Sequence, residues 1–236
     1  MSEWKARRFW KDSSVESAED GFTVHLDGRP VRTPAKRPLI LPTAALAQEV
    51  AAEWQAQDEE INPLSMPFTR SANAAIDKVA VQKDEVAEMI AAYGDSDLLC
   101  YRADSPTELV ERQAAAWDPY LDWAESDLSA RLVPVVGVVH QPQNPGAVAA
   151  LRAEVMAQDI YALTALHDLV SLSGSLVLGL AAQRGIAPPE TLWTLSRLDE
   201  DWQIEQWGED EEASELAATK QRAFLHAARL YQLSRR

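Results

Sequence analysis

Phe22-Thr23-Val24-His25-Leu26-Asp27-Gly28-Arg29-Pro30-Val31-Arg32 decides the architecture of the chain. Its first half alternates apolar and polar side chains, the two-residue period of a strand with one face on a core. Asp27-Gly28 favours the positive φ values of a type I′ turn, so the segment reads as a β-hairpin. Arg8-Phe9-Trp10 upstream and Leu39-Ile40-Leu41 downstream offer further strands. Pro30, Pro34 and Pro38 keep these strands short or at edges. The reading is a small antiparallel sheet over residues 4–42.

Beyond this stretch the period becomes helical. Thr43 can cap a helix carrying Leu46, Val50 and Trp54 at four-residue spacing. A second helix is expected through Ile76, Val79, Val86 and Ile90 to Gly94. Ser105-Pro106-Thr107-Glu108 reads as a capping box, and Asp118-Pro119 as a restart or kink. Leu132 to Val139 is β-like in composition, but Pro134 and Gly137 limit it to a crossing segment or an edge strand. Asn144-Pro145 starts another helix. A longer one is expected from about Asp159 to Arg184, ended by Gly185, with Ser173-Gly174-Ser175 inside it. Pro188-Pro189 opens the next, expected to stop at Gly208. The last covers Ser214 to Leu233. The order is strands first and helices after, an α+β chain. The β-rich region is residues 1–42, extending to about residue 93 if the first helices are counted with it. A helical bundle over 94–236 follows.

Composition narrows the function classes. The chain has 236 residues, 22 Lys+Arg and 37 Asp+Glu, for a net charge of −15. Non-specific nucleic-acid binding depends on Lys and Arg neutralising phosphates, so a nucleic-acid partner is not expected. The single cysteine, Cys100, forms no internal disulfide, and the four histidines (His25, His140, His167, His226) are scattered. The N-terminus lacks the apolar core of a secretory signal. Ile160 to Ala182 is apolar but carries His167 and Asp168, so it reads as a buried helix and not a membrane span. Neither a GxxxxGK[ST] nor a GxGxxG phosphate loop nor a GxSxG nucleophile elbow occurs. No cofactor, no metal and no enzymatic activity are expected. The alternative kept open is a carboxylate- or metal-dependent hydrolase with an unrecognised site.

The strongest feature is Ser196-Arg197-Leu198-Asp199-Glu200-Asp201-Trp202-Gln203-Ile204-Glu205-Gln206-Trp207-Gly208. From Asp199 to Glu215 there are nine acids and no Lys or Arg. On a continuous helix, Leu192, Leu195, Leu198 and Trp202 form one apolar stripe, with Asp199 at its edge. Trp193, Ile204 and Trp207 form a second on another side, with Glu200 within it. Three readings fit: a solvated acidic helix with core tryptophans, a docking surface for a basic, apolar partner, or a divalent-cation site. The cation needs convergent carboxylates, whereas this helix spreads its acids around its circumference. Trp54 extends the Leu46/Val50 stripe, which makes core packing its default.

Three sets of segments together resemble a known family. They are Val50-Ala51-Ala52-Glu53-Trp54; Asp97-Leu98-Leu99-Cys100-Tyr101-Arg102 with Trp117-Asp118-Pro119 and Trp123-Ala124; and Leu195-Ser196-Arg197-Leu198-Asp199-Glu200 with Trp202-Gln203 and Trp207-Gly208. Their order and spacing resemble the assembly chaperones that bind the alpha subunit of the ATP synthase catalytic head in mitochondria and alphaproteobacteria. The resemblance implies a non-enzymatic holdase, independent of nucleotide, that keeps an unassembled alpha subunit from aggregating and releases it to the beta subunit. It implies a small β-containing region before a helical bundle. It places the family's important acid at Asp199 or Glu200 and matches Trp54 to a family Trp, a role as compatible with folding as with binding; Trp202 and Trp207, beside those acids, are expected to face the partner as anchors. It implies a free monomer without membrane insertion, in a bacterial cytoplasm, or in the mitochondrial matrix if the source is eukaryotic.

Overall fold

The computed structural model describes residues 7–235. Trp4 and Lys5, the start of the expected sheet region, lie outside the described residues. The hairpin forms where the sequence puts it. Strand β1 (Ser13–Ala18), β2 (Gly21–Leu26) and β3 (Arg29–Pro30) make an antiparallel sheet in that order, with Val15 opposite Val24 and Leu26 opposite Arg29. Asp27 (φ 47°) and Gly28 (φ 78°) both take the positive φ that the turn requires. The Asp27 carboxylate also accepts the backbone N–H groups of Asp12 (3.0 Å) and Lys11 (3.1 Å), which hold it below the usual carboxylate range. Val24 and Leu26 face the core.

The outer strands differ from expectation. Arg8-Phe9-Trp10 and Leu39-Ile40-Leu41 are not strands: Arg7 bridges Glu60, and Leu41 bridges Phe22, each as an isolated pair. The remaining strand is β1, whose Ser-Ser-Val-Glu-Ser-Ala sequence carries little apolar signal because an edge strand needs only one half-buried face.

The chain divides into two compact units. One takes in the chain up to Lys83, Ile160–Thr164 and the chain from Arg229; the other takes in Asp84–Asp159 and Ala165–Ala228. In the first unit, α1 (Ala44–Gln55) is capped by Thr43, whose Oγ1 accepts the Leu46 N–H at 3.1 Å and donates to the Leu233 carbonyl. Leu46 and Val50 are fully buried. Helix α2 (Pro67–Ala74) begins where the Glu53 carboxylate accepts the N–H groups of Phe68 and Thr69 at 2.6 and 2.7 Å. Burial nevertheless pushes the Glu53 carboxyl up. The expected helix through Ile76 to Gly94 is interrupted. A π-turn over Ala75–Val79 precedes α3 (Lys83–Ala91).

The second unit takes in α3 from Asp84 onward, followed by short β4 (Tyr101–Arg102). Then α4 (Thr107–Leu128) runs through Pro119 as one helix, without the restart that was one of the two expectations there. Ser105 does not cap it. The Ser105 Oγ donates to Asp104 at 3.0 Å, and Pro106 stands at the N-cap position. Strand β5 (Val135–Val136) pairs in parallel with β4, and the crossing segment leaves Val133, Val136, Val138 and Val139 exposed. Asn144 caps α5 (Pro145–Met156).

The expected Asp159–Arg184 helix is two helices, α6 (Ile160–Ser173) and α7 (Leu176–Arg184). Gly174 takes φ 73°, a left-handed value that ends α6, and Ser175 caps α7 through the Leu178 N–H. The break gives the buried Asp97 a place. Its carboxylate accepts the Leu99 N–H at 3.1 Å and the Val177 N–H at 3.0 Å, serving two helical starts at once. Desolvation raises the Asp97 pKa against those bonds, and burial with Asp97 nearby pushes the Cys100 thiol up to about 12. Helices α8 (Pro189–Ser196), α9 (Leu198–Trp207) and α10 (Glu211–Ser234) complete the chain. The architecture is α+β, a small N-terminal antiparallel sheet followed by a larger helical region. Among the described residues no helix is long and apolar enough to cross a membrane.

Candidate functional site

The acidic segment is not one helix. Arg197 (φ −105°, ψ 7°) separates α8 from α9. The two stripes drawn on a continuous helix therefore do not both survive. Leu192 and Leu198 are buried and Leu195 is half-buried, as the first stripe requires. The second stripe divides. Trp193 is buried against Phe224, with ring centroids 5.7 Å apart, whereas Ile204 is 38% exposed and Trp207 79% exposed. The backbone leaves helical values at Arg197, so spacing counted across it from α8 does not fix the face that Ile204 and Trp207 take.

Each acid has a distinct environment. Asp199 is half-buried and accepts Gln113 Nε2 at 2.7 Å. Glu200 is exposed and pairs with Arg197 at 2.7 Å, one turn back. Glu205 takes both guanidinium nitrogens of Arg112, at 2.6 and 2.8 Å. This two-pronged bond lowers the Glu205 pKa and raises that of Arg112. The same guanidinium lies 5.8 Å from the centre of the half-buried Trp202 ring. Thus Arg112 and Gln113, on α4, fix one side of α9 and leave the other free. Neither residue carries a sequence signal for this role. Their partners lie 93 and 86 residues away, and nothing local marks the pairing.

On the free side, α9 and α10 border a groove of about 640 Å³. Trp193, Ile204 and Trp207 line it from one side, and Ala217, Ala218 and Gln221 from the other. The α10 wall escaped the sequence reading. Its only trace is small residues recurring every three or four positions (Ala213, Ser214, Ala217, Ala218), a pattern that elsewhere means ordinary helix packing.

Asp199, Glu200, Trp202 and Trp207 thus share one helix. Trp54 belongs to the first unit, in α1, half-buried with its ring edge-on to Trp10 at 5.2 Å. Among the described residues, no three His, Cys, Asp or Glu side chains could hold a metal ion. The carboxylates of α9 are turned to separate partners and do not converge.

The chain as a whole is similar to known proteins. The family model described as "ATP12 chaperone protein" matches residues 7–125. Protein atp12, mitochondrial, of Schizosaccharomyces pombe is 24% identical over 222 residues, covering 89% of this chain and 76% of that protein. The crystal structure of Atp12 from Paracoccus denitrificans is 53% identical and superposes with a TM-score of 0.96, covering 99% of this chain and 100% of that one. The structure of Atu1473, a putative chaperone from Agrobacterium tumefaciens, is 47% identical with a TM-score of 0.90, over 97% of this chain and 85% of that one. The family match spans the sheet, α1 to α3 and most of α4, and the structural likeness extends through α10, so the chain belongs to the ATP12 chaperone family.

Proposed function

We propose that this chaperone serves assembly of the ATP synthase catalytic head. It holds the unassembled alpha subunit, keeps it from aggregating and releases it to the beta subunit, by binding alone and without cofactor or catalysis. In this reading the free chain is a monomer, working in a bacterial cytoplasm or, in a eukaryote, in the mitochondrial matrix. The observation that carries the proposal is the 79% exposure of Trp207 on a helix rich in carboxylates, in a chain of a chaperone family. A subunit awaiting its neighbour exposes an apolar surface that invites aggregation. A holdase must cover that surface and still let go. Carboxylates give fast, salt-sensitive encounter, and a tryptophan anchor adds short-range affinity.

Asp199, Glu200, Trp202 and Trp207 are the proposed partner-binding residues. The different environments of the acids support different parts for them. Asp199, held by Gln113, sets the orientation of the helix start; Glu200, exposed, is available to exchange Arg197 for a partner cation. Trp54 is proposed to act through the first unit, where its ring supports Trp10.

The test is light scattering from separately unfolded alpha subunit diluted into buffer with and without the chain, with beta subunit and serum albumin as controls. Suppression for alpha and not for beta supports the proposal. Equal suppression of both indicates a general chaperone. Unchanged suppression in folded Asp199→Ala and Glu200→Ala variants removes α9 from the interface.

A further inference from the structure

The groove between α9 and α10 is built to receive a helix. Its apolar lining comes from Ile204 and Trp207, three residues apart and thus neighbours on one face of α9, and from Ala217 and Ala218 opposite. Small residues on α10 keep that wall low, as close helix packing at about 8–10 Å between axes requires. A cofactor pocket would enclose its aromatic groups; here Trp207 stands mostly in solvent, the state of an anchor awaiting a partner.

Charge specifies the occupant. Glu200, Asp201, Glu209 and Asp210 line the groove with one cation, Arg197, which already pairs with Glu200. Further out, Glu211 and Glu212 sit in the first turn of α10, where its N-terminal dipole favours them, so they have a local reason to be acidic. Asp201 has the same local reason in the first turn of α9, but Glu209, between the two helices, has none. Among the described residues neither makes an ion pair, and no Lys or Arg occurs from Asp199 to Glu215. An acidic occupant would be repelled, and a neutral apolar helix would leave these carboxylates facing it without compensation.

We propose that this groove binds an amphipathic helix of the client, with apolar residues recurring at helical spacing and Lys or Arg flanking them. Trp207 and Ile204 take the apolar stripe, and Asp201 and Glu209 take the cations. This deepens the α9 reading above and rests on it, naming the kind of element recognised.

The probe is a fluorescein-labelled Leu/Lys peptide of about five helical turns, with Leu at i, i+3, i+4 and i+7. A scrambled peptide of identical composition and a Leu/Glu version serve as controls, all read by fluorescence anisotropy with the full chain. The amphipathic basic peptide is expected to bind, and salt to weaken it. The scrambled peptide is expected to bind about tenfold more weakly or worse, and the Leu/Glu version not at all. Ala217→Trp fills the groove and is expected to abolish binding. Trp207→Ala, at an exposed position that folding does not need, keeps the test valid if Ala217→Trp misfolds, and should weaken binding about tenfold.

Equal binding of basic and scrambled peptides, or full binding by folded Ala217→Trp, overturns the proposal, since either means charge attraction alone. Scattering assays with alpha subunit separate the two readings. A folded Ala217→Trp chain that still suppresses aggregation fully overturns the groove proposal and leaves the alpha-subunit reading intact. A wild-type chain that binds the peptide in the groove and fails to protect alpha supports the groove and overturns the alpha-subunit reading.

Discussion

Trp117 and Trp207 are the same side chain put to opposite ends within one unit. Trp117 is wholly buried, its indole N–H donates to the Leu195 carbonyl at 2.9 Å, and the Arg102 guanidinium lies 5.3 Å from its ring. Arg102 in turn pairs with Asp118 at 2.7 Å. Trp207 is 79% exposed and precedes Gly208, which ends its helix at φ 91°. Each tryptophan lies within a helix whose neighbouring turns carry acids, and nothing in the local sequence tells them apart. The difference is in what the surrounding fold provides: a carbonyl and a packed cavity for one, a groove edge for the other. A buried indole is secured by its hydrogen bond as much as by its area. An exposed indole contributes nothing of that kind to folding, and so is available for binding.

The comparison can be broken most directly at Trp117. Trp117→Ala removes a fully buried ring and its hydrogen bond to the Leu195 carbonyl, so it is expected to cost about 3–5 kcal/mol of stability. A denaturant midpoint close to wild type would mean that Trp117 is not the keystone its burial indicates. Next in size is Asp97→Ala, which leaves the Leu99 and Val177 N–H groups unserved, offset in part by relief of the buried carboxylate. The expected net loss is about 2 kcal/mol. Asp97 also carries a pH signature. Its pKa is raised by folding, so its contribution is fully present below the unfolded value of about 3.9 and is lost as pH rises through the folded value. Stability curves of the wild type and of Asp97→Asn against pH should diverge in that direction; a wild-type curve rising over the window relative to the variant would contradict the assignment.

Trp207→Ala sharpens the other half of the comparison. It should change stability by less than about 0.5 kcal/mol, the usual range for exposed positions. It should nevertheless weaken capture of unfolded alpha subunit about tenfold in the scattering assay. A large drop in thermal midpoint with intact capture would reverse the roles given to the two tryptophans. The smallest effect belongs to His167, a half-buried residue whose Nδ1 lies 2.9 Å from the Asp168 carboxylate. That bond raises the His167 pKa, so the stability it supplies is present below about 6.5 and fades as pH rises through the raised value. His167→Gln should flatten the thermal midpoint between mildly acidic and mildly alkaline buffers by a small margin, and an unchanged slope would show that the contact is idle.

Much of the fold was legible where chemistry is local. Asp27-Gly28 demanded its turn, Thr43 and Asn144 capped the helices they precede, and Gly185 ended α7 in the left-handed conformation. The errors have a common cause. Gly174 and Arg197 break segments whose apolar spacing runs on without interruption, and the helix does not restart at Pro119. Periodicity reports which residues want burial. It does not report where the axis bends, because bending depends on what each piece packs against. Strand β1 was missed for the converse reason: it is specified by its pairing with β2 and not by its own side chains.

The candidate site was legible to the same degree. The acids and tryptophans of α9 stood out by composition alone. Their division into tethered (Asp199, Glu205), self-paired (Glu200) and exposed (Trp207) did not, because it follows from Arg112, Gln113 and Arg197. The sequence by itself determined the α+β order, the hairpin, several helix ends and the acidic, aromatic character of the segment after Ser196, since turn chemistry, capping and composition act over a few residues. Only the tertiary structure decided which tryptophans are core and which are surface, and that α9 and α10 border a groove. Burial and groove geometry are set by contacts between residues far apart in the chain, and those contacts exist only once it has folded.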